Sequence, residues 1–114
     1  ASLLQTNAFK NVRFDFKTNS LNRRQVLELV YTAERTGVGA YLGAIPFFET
    51  KTYLQTAGAI QGTEARHTAV IAAVLNKLYG ANIAVAPPAN VNNGIDSPLA
   101  PDDVLAAVSP FIVL

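Results

Sequence analysis

The chain contains no cysteine, no methionine, a single histidine and only 15% charged residues. Without cysteine there is no disulfide, no thiolate metal ligand and no iron–sulfur cluster, although the compartment stays open. Without methionine the chain starts at Ala1 with no initiator. The expectation is that an N-terminal segment has been removed or that these residues are a piece of something longer, so the lack of a leader in them carries no information. On that expectation, together with the missing cysteine, a secreted or envelope location is mildly favoured. Charge of neither sign accumulates: 9 Lys and Arg against 8 Asp and Glu leave a formal net charge of +1. No basic stripe stands out, which removes the footing for nucleic-acid binding. No apolar run reaches the ~18 residues needed to span a membrane. The apolar stretch from Val38 to Phe48 is short, and Pro46 interrupts it.

What remains is rich in core material. The 114 residues are 50% hydrophobic, enough for one small domain or part of one. Lys17-Thr18-Asn19-Ser20 reads as a helix start with Ser20 as the cap, because its hydroxyl can accept from a free backbone N–H. From Leu21 the apolar residues recur at helical spacing, with Leu27, Val30, Gly37 or Val38, Tyr41 and Ala44 or Ile45 on one stripe. Pro46 ends this helix, since it cannot donate to the preceding turn and biases Ile45 away from the helical region. Thr50 or Thr52 can cap a second helix. Its stripe is cleaner: Tyr53, Ala57, Ile60, Glu64, His67, Ile71, Val74 and Leu78 alternate steps of four and three for ~25 residues, or ~38 Å of helix. Gly80 closes it.

Beyond Gly80 the chain holds Pro87, Pro88, Pro98, Pro101 and Pro110 and the turn cluster Asn90–Gly94. A short helix is expected from Pro101 or Asp102 to Val108, with proline at its start and acids in its first turn. No internal repeat or low-complexity tract is present. The expected organisation is an N-terminal arm over 1–20, a helical hairpin over 21–80 and a Pro/Asn-rich, mostly irregular tail over 81–114. The link between the long helices is brief, so they should pack antiparallel in an all-α fold.

Ionisable side chains interrupt both stripes. Glu64 and His67 lie on the second, three residues apart, and Glu34 lies on the first between Val30 and Gly37. An unpaired buried carboxylate costs several kcal/mol, so three such groups on one seam call for a compensating partner. Divalent metal ions are one. In carboxylate-bridged di-iron and di-manganese bundles, two helices each give a Glu and two others each give Glu-x-x-His. Glu34 and the Glu64-Ala65-Arg66-His67 pair supply one of each, half of a two-metal site. Two other readings stand beside it: a salt bridge from Glu64 to Arg35 or Arg66 with His67 as a hydrogen-bonded core histidine, or an interface that water partly reaches.

The segments Ala33–Phe48 (AERTGVGAYLGAIPFF) and Tyr53–Leu75 (YLQTAGAIQGTEARHTAVIAAVL) resemble the second half of ferritin-like domain proteins of the desiccation-related and fungal stress-response type. Asp96–Ile112 resembles the closing segment of that family, and Phe14-Asp15-Phe16 the entry to its third helix. The resemblance implies that the hairpin is half of a ferritin-like four-helix bundle. It also implies that Glu34, Glu64 and His67 match metal-ligand positions on the third and fourth helices. The first two helices do not fall within these residues, so the other half of the site would come from a missing N-terminal half or from a second copy of the chain. Iron or manganese suits the oxygen and nitrogen donors best. The implied role is in metal, oxidative or desiccation stress. The alternative is a non-catalytic structural or accessory subunit that keeps the ferritin-like shape and docks on a larger assembly.

The remaining features are weaker. Gly37 to Gly43 superficially imitates a dinucleotide fingerprint but lacks the strand such a motif follows, so its glycines read as places of close helix contact. Tyr41 falls about two turns after Glu34 as a candidate hydrogen-bond donor to the site, a redox-active neighbour of a metal, or, the commoner case, a core tyrosine with a satisfied hydroxyl. Arg23, Arg24, Arg35 and Arg66 read as a solvated face, and Glu28 and Glu49 as surface or turn acids. No serine–histidine–aspartate arrangement suggests a hydrolase.

Overall fold

The first long helix begins where an asparagine and a glutamine can close it together. The structure is a computed structural model and describes residues 11–113; residues 1–10 of the expected N-terminal arm, and Leu114, lie outside the described residues. Helix α1 spans Arg23–Ala44 and is capped by Asn22 rather than Ser20. The Asn22 side chain accepts from the Gln25 backbone N–H at 2.9 Å, and the Gln25 side chain accepts from the Asn22 N–H at 2.9 Å. This reciprocal box satisfies two end groups at once. Ser20 is followed three residues later by Arg23, which has no acceptor to return the bond; its hydroxyl instead meets the Lys17 carbonyl around a single 3-10 turn, Thr18–Ser20.

Pro46 acts as expected. Helix α1 ends at Ala44, and Ile45–Phe47 form one 3-10 turn around the proline. Helix α2, Lys51–Tyr79, follows with Thr50 in the cap position, although the Thr50 side chain makes no capping bond. Gly80 ends α2 in the left-handed region with φ 62°, its N–H bonded to the Asn76 carbonyl. Asn76 then turns the chain: its side chain donates to the Ile83 carbonyl at 2.8 Å and accepts from the Ile83 N–H at 2.6 Å. Helix α3 covers Pro101–Val108 with Asp102 and Asp103 in its first turn.

The two long helices lie antiparallel. Gly37 meets Glu64 and Glu34 meets His67, so a step forward on one is a step back on the other. Their contact buries Val38, Ala57, Ala72 and Leu75 almost completely. This is not quite the stripe that the periodicity picks out. Ala72 and Leu75 sit one position round from Ile71 and Val74, while Leu78 is 49% exposed. Val30 on α1 is likewise exposed. Most of the stripe is thus buried or half-buried, Ala57 and Val38 included, and the centre of the covered flank of α2 is turned slightly towards Ala72 and Leu75.

The tail is more structured than its composition suggests. From α2 it returns across α1, where the Leu99 N–H bonds the Gly39 carbonyl at 2.9 Å. A Cβ on Gly39 would lie 2.6 Å from the Leu99 side chain, and a Cβ on Gly43 would strike the Leu99 carbonyl oxygen. Gly39 and Gly43, one turn apart on the same flank, are the groove this strap lies in. The tail then closes on the N-terminal arm. Strands β1 (Arg13–Phe14) and β2 (Ile112–Val113) pair antiparallel, and the Asp15 N–H donates to the Phe111 carbonyl at 2.8 Å. Phe16 packs on Phe111 with ring centres 5.2 Å apart. The Phe14–Phe16 segment is therefore half of a clasp between the two arms as well as the entry to α1.

Candidate metal centre

The antiparallel register brings Glu34, near the middle of α1, across from the Glu64-x-x-His67 turn of α2. The contact is direct for one pair: His67 Nδ1 lies 3.2 Å from Glu34 Oε1. The imidazole is 56% exposed and the Glu34 carboxylate 24%, so the pair sits at the lip of the helix interface rather than inside it. Glu64 goes deeper. Its carboxyl lies against α1 at Gly37, and Oε2 is buried with no hydrogen-bond partner among the described residues. Burial pushes the Glu64 carboxyl above its ordinary range, the negative charge of Glu34 adds to the rise, and His67 opposes it.

No arginine relieves Glu64. Arg66 turns to the Thr63 hydroxyl at 3.1 Å, and the ion pairs among the described residues are Arg24–Glu28 and His67–Glu34. Arg24 also lies over the Tyr79 ring, 5.5 Å from its centre. Arg23, Arg24, Arg35 and Arg66 are exposed and Glu28 is paired to Arg24, which fits a solvated face. Tyr41 makes no hydrogen bond to Glu34 among the described residues.

All three expected ligand residues line one open cleft of about 710 Å³ between the helices. Gln55, Thr56 and Thr63 line it as well. Their place was readable from the helical spacing around Glu64, but nothing in their chemistry set them apart from surface residues. Gly37, which periodicity placed on the α1 stripe as a point of close helix contact, meets the Glu64 carboxyl there.

A family model described as a ferritin-like domain matches residues 1–77. The chain belongs to the ferritin-like domain family. The match takes in Glu34, Glu64 and His67 and stops before the Asp96–Ile112 segment of the tail. No curated protein and no solved structure matches the chain.

Ferritin-like folds house two-metal centres between facing helices, so the fit of these residues to metal is a fair question. The donor types fit: two carboxylates and one imidazole are an oxygen and nitrogen set suited to iron or manganese. The orphaned Glu64 oxygen fits too, because it lacks the partner that a buried acid requires. The count does not reach a whole site. Among the described residues no three histidine, aspartate or glutamate side chains stand close enough together to hold a metal ion. Glu34, Glu64 and His67 line one cleft on the hairpin without converging on a point.

Proposed function

We propose that this ferritin-like chain contributes Glu34, Glu64 and His67 as half of a carboxylate-bridged two-metal centre for iron or manganese. Its role would lie in metal, oxidative or desiccation stress, as in the desiccation-related and fungal stress-response type that its helices resemble. The observation that carries this reading is the buried, unpartnered Glu64 Oε2 beside the Glu34–His67 contact. Among the described residues no donor satisfies that oxygen; a proton or a cation would relieve it, and the neighbouring Glu34 and His67 are the donors that speak for a cation.

The residues have separable tasks. Glu34 accepts from, or pairs with, His67 Nδ1, which holds the ring at the edge of the cleft. Burial and the Glu34 charge raise the Glu64 pKa, so a bound cation would relieve a carboxylate that is costly to bury charged. Iron or manganese, when bound, would supply redox chemistry toward Fe(II), oxygen or peroxide.

The second half of the centre would come from two further helices, either an N-terminal half or a second copy of the chain. The open face invites cover. Val30 lies four residues before Glu34 and Val70 three after His67, and Val70 is 62% exposed. The accessible surface of 8396 Å² also exceeds the roughly 6,000 Å² that size scaling gives a compact chain of 12.1 kDa. Elemental analysis of the native protein tests the reading. About two metals per completed bundle are expected, and their loss in Glu64→Ala.

One observation favours the alternative of a metal-free structural or accessory subunit: no three donors converge among the described residues. Under that reading the native protein carries no stoichiometric metal, and Glu64→Ala stabilises it by removing a buried acid.

A further inference from the structure

Gly37 lies on α1 directly beneath the Glu64 carboxyl. A Cβ built there would stand 2.7 Å from Glu64 Cδ and 2.8 Å from Oε1, and closer still to Oε2. The three nearest atoms to that point, the helix's own backbone aside, all belong to this one carboxyl. Backbone conformation does not explain the glycine. Among the described residues, the glycines with positive φ are Gly80 and Gly94, so Gly37 has the ordinary helical geometry any residue can adopt. Mid-helix glycine is otherwise disfavoured, because it loses more freedom on folding than alanine does. Space for the acid is the reason that remains.

The kind of atom it meets decides what a side chain there would do. Glu64 presents the far end of a flexible chain, which can swing aside through its own rotamers. At Gly43 the obstacle is the Leu99 backbone, which cannot. A methyl group at position 37 would therefore leave the helices in place and expel the carboxylate from between them.

We infer that Gly37 is a positioning residue: the bare backbone of α1 at that point leaves the room in which the Glu64 carboxylate lies inward, where it shares the cleft with Glu34 and His67. This rests on the half-site reading above. It adds that the donor geometry is set by a missing side chain on the opposite helix, and that the third donor is held by shape rather than by a hydrogen bond.

The test compares Mn(II) binding by the native protein with that of Gly37→Ala, Glu64→Asp and the double variant, alongside far-UV circular dichroism and thermal melting. Gly37→Ala should keep its helix content, melt no lower than the native protein and bind Mn(II) about 10–100-fold more weakly, the range found for residues that orient ligands. The double variant should bind more tightly than Gly37→Ala alone, because aspartate is one methylene shorter and clears the new methyl group. A merely structural glycine would give no such rescue. Unchanged Mn(II) affinity in Gly37→Ala, or loss of its helix content, overturns the inference. If the native protein binds no Mn(II), the half-site reading fails instead. The positioning claim is then decided by the Gly37→Ala crystal structure: a Glu64 carboxylate turned off α1 supports it, and one left in place overturns it.

Discussion

Helix α1 carries glycines on two flanks, and the flanks do different things with the room those glycines leave. On one, Gly37 admits the tip of the Glu64 side chain from α2. On the other, Gly39 and Gly43 admit the backbone and side chain of Leu99 from the tail. The first holds a polar group that can move; the second holds a chain crossing that cannot. A close approach thus serves a site in one place and the fold in the other, and the residue on the far side tells them apart.

The largest effect that would sharpen this contrast is Gly43→Ala. Its methyl group would meet the Leu99 carbonyl, so the strap must lift, at a cost of up to about 3 kcal/mol. Urea denaturation of Gly43→Ala beside Gly37→Ala checks it. The second variant should be neutral or up to about 1 kcal/mol more stable, since alanine favours helix. Equal losses in both would erase the distinction. Next in size, Leu99→Ala removes the half-buried side chain that rests on Gly39 and should cost about 2 kcal/mol, with Mn(II) binding unchanged.

Asn22→Ala touches neither flank. It breaks the capping box and should lower stability by about 1 kcal/mol, read from the same denaturation curves, with no effect on the cleft. The smallest effect concerns pH. The folded state raises the Glu64 pKa above its ordinary 4.5, so folded protein binds more protons than unfolded protein between the two values. Metal-free stability should therefore fall as pH rises from the ordinary glutamate value through the raised one, and stay lower above it. Glu64→Gln should flatten that slope. A steeper decline in Glu64→Gln would mean that the burial of this acid is not what the pH dependence reports.

Much of the fold was legible because it is local. Pro46 ends α1, Gly80 ends α2 and Pro101 opens α3, each through a backbone property of a single residue. The spacing of Glu34, Glu64 and His67 also placed all three on one cleft. The misses share a cause. Ser20 was a plausible cap until Asn22 and Gln25 could close a mutual pair two residues on. Towards the end of α2 the fully buried residues, Ala72 and Leu75, lie one position round from the stripe members Ile71 and Val74, while Ala57 lies on the stripe itself, because packing against α1 and not period alone decides which flank is covered. The arms read as irregular because two-residue strands leave no periodicity, and β1 and β2 find each other from opposite ends of the chain.

The order of residues by itself determined that this protein is a pair of long helices with acids and an imidazole at matched depths, since helical period and chain-stopping residues act over a few positions. Only the tertiary structure decided which of those groups touch, that one Glu64 oxygen is left without a partner, and that a tail crosses α1 where two glycines make room. Those outcomes depend on atoms far apart in sequence meeting at van der Waals distance, and no short-range pattern encodes such a meeting.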